Sequence, residues 1–126
     1  EGDHPGIAAM RLGSWFEGKQ DLPVAMFNAS YQFPFLDHFE KKNSEAFKAT
    51  AWMQHIYCTQ RMTRREEPGV HTPSFNLALG LCDLPMRPVE HDTLQNALLN
   101  ARLFAELRSR AAKRTRQTSK KSTKAL

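Results

Sequence analysis

The last nineteen residues contain no acid. From Arg108 to Leu126 eight Lys/Arg stand at 108, 110, 113, 114, 116, 120, 121 and 124, while residues 1–107 hold ten cations and all thirteen acids, a net of −3. The basic pI near 9.5 is therefore a property of the tail, and the body is mildly acidic. Cysteine is scarce: Cys58 and Cys82 form no C-x-x-C pair, which fits two buried thiols inside a reducing, intracellular compartment. The histidines at 4, 38, 55, 71 and 91 include no i, i+4 pair and no zinc-type spacing with the cysteines. No apolar run approaches the ~18–20 residues of a membrane span, so no membrane partner is expected. A start at Glu1 without a signal-like segment fits a processed chain or a fragment.

What is present is a chain of one-domain length, 126 residues with 40% hydrophobic content. Residues 5–18 are weakly helical, with Ile7, Met10 and Leu12 as apolar positions. LPVAMF (22–27) suits a strand buried on both faces. Phe35, Leu36 and Phe39 place a helix over 34–42, with Pro34 in its first turn. A short helical piece over 44–50 and a strand over 52–58 follow. Thr59 to Arg65 begins a helix that Pro68-Gly69 ends, and Ser74 caps another over 75–82. PMRP (85–88) is a loop. Asp92 with Gln95 forms a capping box for the last helix. Its apolar stripe is Leu94, Ala97, Leu98, Ala101, Phe104 and Leu107. The apolar pattern stops after Ala112, so 108–126 reads as a largely disordered basic tail on a 1–107 domain. Alternating strands and helices place the domain in the α/β class.

Two stretches carry chemistry. FNASYQFPFL (27–36) and HDTLQNALLNARLF (91–104) resemble the second and third motifs of DEDDh 3′–5′ exonucleases, the proofreading-subunit and RNase T-like family. Those motifs run approximately H-N-A-S-F-D-x-x-F-L and H-x-A-L-x-D-A-x-x-T-A. Cys58-Thr59, Arg64-Arg65, Pro68-Gly69 and Leu77 match the segment that links them. The resemblance covers about Ile7 to Leu107 and implies an RNase H-like fold lacking its first strands. It also implies a sheet edge that a protein partner would cover.

The family's chemistry needs carboxylates to hold two cations ~3.5–4 Å apart, with charged oxygen ligands preferred by Mg²⁺. The family takes two acids from a D-x-E on its first strand, which precedes the matched region; Glu1 and Asp3 do not replace them. The third and fourth acids fall at Gln32 and Asn96, and Phe27 stands where the second motif begins with histidine. His91 keeps the five-residue step to Asn96 and is the vestigial general base. Loss of two charges argues against metal-dependent catalysis, because unit charges ~4 Å apart interact by about 4 kcal/mol at an effective dielectric of 20. No metal is expected unless an acidic strand supplied elsewhere restores a Mg²⁺ or Mn²⁺ site, in which case the chain is a fragment of an active exonuclease.

The remaining function is nucleic-acid binding, single-stranded or RNA. Asn28, Ser30 and His91 would line the remnant cleft, Tyr31 would contact the nucleic acid as well, and Lys113, Arg114, Arg116, Lys120 and Lys121 would meet phosphates. Among the aromatics, Phe27 and Phe35 favour the core, and Tyr31 and Phe33 divide evenly between core and base stacking. Arg61, Arg64 and Arg65 also suit phosphates, although Glu66 and Glu67 follow at once and a solvated helix face fits equally. The other reading is an adaptor subunit that uses the fold for protein contacts.

Overall fold

A computed structural model describes residues 4–43, 53, 55–88, 90 and 92–125, residues 121–125 by their backbone alone. The fold is mixed α/β and mostly helical, with two parallel strands. The chain divides into two compact units, Glu1–Cys58 and Thr59–Leu126. No helix among the described residues is long and apolar enough to cross a membrane.

The first unit begins with α1 (Pro5–Phe16), capped by His4, whose Nδ1 accepts from the Gly6 amide at 3.2 Å. It buries Ala9 and Phe16, seven residues apart, and leaves Ile7, Met10 and Leu12 exposed, so the buried face is not the one the apolar spacing suggested. Gly18, at φ 75°, supplies the left-handed residue that turns the chain toward the sheet. Strand β1 (Val24–Met26) pairs in parallel with β2 (Ile56–Cys58), Val24 opposite Ile56 and Met26 opposite Cys58. Both strands are shorter than expected. Parallel strands need a long crossover, and α2 (Ala29–Lys42) lies within it.

Helix α2 starts five residues before the position its apolar pattern indicated. Asn28 adopts the left-handed conformation (φ 58°, ψ 62°), which Asn tolerates better than most residues. Its carbonyl then accepts from the amides of Tyr31 and Gln32. Pro34 sits inside the helix and leaves the Ser30 carbonyl without its usual intrahelical donor. The core joins Ala9, Phe16, Met26 and Met53 with Val24, Ala29, Phe33, Leu36, Phe39 and Ile56. Phe33 therefore packs inward. Phe35, expected in the core, is 64% exposed. The expected helix over 44–50 lies outside the described residues.

The second unit is built from α3 (Thr59–Glu66), α4 (Phe75–Leu81) and α5 (Thr93–Ala125). Helix α3 packs along α5, and α4 packs against both. Pro73, Ala78, Leu79, Cys82, Leu103 and Leu107 are buried, together with Thr59 and Thr63. The two threonines are satisfied internally: Thr63 Oγ1 donates to the Thr59 carbonyl at 2.8 Å, and Thr59 Oγ1 donates to Asn100 Oδ1 at 2.7 Å. Both expected caps form, with Ser74 Oγ accepting from the Leu77 amide and Asp92 Oδ1 from the Gln95 amide. Asn76 Oδ1 accepts from the Arg87 amide at 2.9 Å and pins the 84–88 loop.

Helix α5 corrects two expectations. Its inward stripe is Asn96, Leu99, Asn100, Leu103, Leu107 and Arg110, while Leu94 and Leu98 are 67% and 58% exposed. The Asn100–Thr59 bond turns the asparagine side of the helix inward. Regular structure also does not end at Ala112, because α5 continues to Ala125 and the expected disorder of 108–126 is replaced by helix. Ala, Lys, Arg and Gln have high intrinsic helix propensity, which needs no burial. Thr115 and Thr118 return their hydroxyls to carbonyls four residues back.

Candidate nucleic-acid interface

The first motif folds as a strand end, a left-handed Asn28 and a helix start. Its polar groups bond to one another. Ser30 Oγ donates to Asn28 Oδ1 at 3.3 Å, and Gln32 Nε2 donates to the Phe27 carbonyl. An aspartate at 32 would have no proton to give that carbonyl at neutral pH, so this bond depends on the amide. Tyr31 and Phe35, one turn apart on α2, form an edge-to-face pair with ring centroids 5.4 Å apart, and Tyr31 is 66% exposed. Phe27 is half-buried at the strand end.

In the second unit His91 lies outside the described residues. Asp92 caps α5 and Asn96 points one face inward. Asn96 Oδ1 is buried with no hydrogen-bond partner among the described residues. Gln32 stands in the first unit and Asn96 in the second. Both side chains are neutral amides and bring none of the negative charge that hard dications prefer. Among the described residues no three His, Cys, Asp or Glu side chains cluster as metal ligands.

Charge is distributed unequally. The first unit carries five Lys/Arg and seven Asp/Glu, a net of −2, and the second thirteen and six, a net of +7. Two of the second unit's arginines are internal struts. Arg110 Nε lies 2.9 Å from Glu106 Oε1, while its other nitrogens reach the Leu81 carbonyl at 3.0 Å and Asp83 at 3.5 Å. The hydrogen bond to Glu106 raises its already high pKa. Burial pushes the neighbouring Cys82 thiol up, and Arg110 offsets part of that. Arg114, expected to meet phosphates, pairs with Glu66 at 2.9 Å and donates to the Arg65 carbonyl at 3.1 Å, while its side chain stays half exposed. Lys113, Arg116 and Lys120 remain exposed along α5; the Lys121 side chain lies outside the described residues.

Two surface features escaped the sequence reading. Arg61, Arg64 and Arg65 line an open cavity of about 390 Å³ with Pro68 and His71. Their i, i+3, i+4 spacing was legible, but the adjacent glutamates hid its meaning until Arg114 was seen to take Glu66. A larger apolar groove of about 700 Å³ runs between the 85–88 loop and α5, lined by Pro85, Met86, Leu98, Leu99 and Ala101. The signal for it was the oversized apolar stripe of α5, too wide for one inward face.

Comparison of the chain with family models, curated proteins and solved structures finds no match.

Proposed function

We propose that this chain is a catalytically degenerate relative of the DEDDh 3′–5′ exonucleases, on a partial RNase H-like fold, that binds single-stranded nucleic acid. The observation that carries the reading is the exposed cation row Lys113, Arg116 and Lys120 on α5, in a stretch without acids. Positions 113, 116 and 120 share one helical face, so a phosphate backbone meets them together. The exposed Tyr31–Phe35 pair supports a single strand, because every base offers a face for aromatic stacking. The amides at 32 and 96 support binding without hydrolysis.

Anisotropy of a labelled oligouridine titrated with the full chain across a salt series tests this. Log affinity should fall linearly with log salt. Changing Lys113, Arg116 and Lys120 together to Gln should flatten the slope by roughly 2, three contacts at about 0.7 each. No binding at low salt refutes the reading.

The apolar groove beside Met86 and Leu98 favours a second reading, an adaptor subunit whose partner covers exposed apolar surface. A stoichiometric protein retained through purification and released by Leu98→Glu would favour it.

A further inference from the structure

We propose that the cavity of Arg61, Arg64, Arg65 and His71 is a phosphate-binding site that grips the backbone of a single nucleic-acid strand. This rests on the nucleic-acid reading above and adds an anchor to it, separate from the cation row of α5.

Arg61, Arg64 and Arg65 stand on one face of the eight-residue helix α3. Like charges at i, i+3 and i+4 oppose helix formation. The last-turn positions of Arg64 and Arg65 suit the helix dipole, but Arg61 lies a turn earlier. Of the two acids that follow the three, Glu66 pairs with Arg114 at 2.9 Å, and Glu67 makes no ion pair with them among the described residues. Among the described residues the guanidinium groups of Arg61, Arg64 and Arg65 make no ion pair or hydrogen bond. An anion from outside the unit would remove that repulsion.

The shape then selects the anion. Helix α3 ends at Glu66, and the Pro68-Gly69 turn closes with the Val70 amide donating to the Glu67 carbonyl at 3.0 Å. That turn brings His71 to the wall of the same cavity. Three guanidinium forks and an imidazole from separate positions suit a tetrahedral oxyanion with several acceptor oxygens, whereas a carboxylate is satisfied by one fork. A volume of about 390 Å³ exceeds a bare phosphate and leaves room for the attached sugar. A concave site of that size admits a flexible strand, and the arginine planes offer stacking to an unstacked base.

Variants of the full chain test the proposal. Arg61→Gln, Arg64→Gln and Arg65→Gln together change exposed residues to another good helix former, so circular dichroism should be unchanged. Oligouridine affinity should fall about tenfold or more, and the salt slope should flatten by roughly 2. Unchanged affinity and slope overturn the site while leaving the nucleic-acid reading intact. Inorganic pyrophosphate, followed at the arginine Nε–H resonances, provides an independent readout. Saturable shifts confined to Arg61, Arg64 and Arg65 support the phosphate site even if no oligonucleotide binds, and that combination refutes the nucleic-acid reading alone. No shift at Arg61, Arg64 or Arg65 overturns the site. Tighter binding of a phosphoserine peptide than of oligouridine overturns the assignment to nucleic acid.

Discussion

Asn28 and Gln32 in the first unit and Thr59 in the second are polar residues at or near helix starts, and Asn100 lies two turns inside α5. They use their hydrogen bonds differently. In the first unit the bonds are local: Gln32 reaches back five residues to Phe27, and Ser30 reaches Asn28. They turn the chain from a strand into a helix. In the second unit the bond is long-range, since Thr59 reaches Asn100 across forty-one positions and fastens α3 to α5. The first unit draws its tertiary cohesion from the backbone pairing of β1 with β2 and from apolar contacts among Phe16, Met26, Phe33 and Met53, whereas the second has a side-chain polar lock and arginine ion pairs. Of the two amides, Gln32 is a donor within its own turn and Asn96 holds a buried oxygen with no partner among the described residues.

The largest expected effect tests the second core. Leu103→Ala, at a site with no exposure, should cost about 2–5 kcal/mol in denaturant unfolding. A cost near zero would mean that α5 does not form the core of its unit. Next comes the polar lock. Thr59→Val keeps the shape but removes the donor to Asn100, and should cost about 1–3 kcal/mol. The corresponding change in the first unit is Gln32→Asp, which removes a donor at an exposed turn and should cost about 1 kcal/mol or less. It should confer no Mg²⁺-dependent nuclease activity; release of nucleotides from a labelled strand by this variant would refute the degenerate-site reading. A smaller effect of opposite sign is expected at Asn96. Replacement by Leu removes a buried acceptor without a partner among the described residues, and stability should be unchanged or rise by up to about 1 kcal/mol. The smallest is a pH effect at Cys82. Because burial raises its thiol pKa, the folded chain keeps the proton to higher pH than the unfolded chain. Stability should then fall as pH rises above the ordinary thiol range, and Cys82→Ala should remove that part of the slope in melts across alkaline pH.

Caps and stops were legible because each is a local bond between neighbours. Ser74, Asp92 and Pro68-Gly69 act where their residue types alone indicate. Hydrophobic periodicity was less dependable. It placed the start of α2 at Pro34, because nothing apolar marks Ala29 and the signal there is a left-handed asparagine closed by a glutamine. It chose the wrong face of α1 and much of the wrong face of α5. Alanine and asparagine at the inward positions carry little or no hydrophobic weight, while Met10, Leu94 and Leu98 carry much and face solvent. The end of α5 was missed for the converse reason: propensity without burial leaves no periodic trace. At the candidate site, the row on α5 was visible as composition. That Arg114 is a strut, and that its pairing leaves three arginines around a cavity, depends on two helices meeting forty-eight residues apart in the chain.

The buried hydroxyl of Thr59 also provides a clock. A hydroxyl proton normally exchanges with water too fast to be seen. One sealed between two helices and held by an amide oxygen leaves only when the helices part. Its resonance should be visible in a proton spectrum, and its exchange rate would report how often α3 lifts from α5. Occupancy of the arginine cavity on the opposite face of that short helix should slow the clock, giving a kinetic record of binding from a residue that touches no ligand.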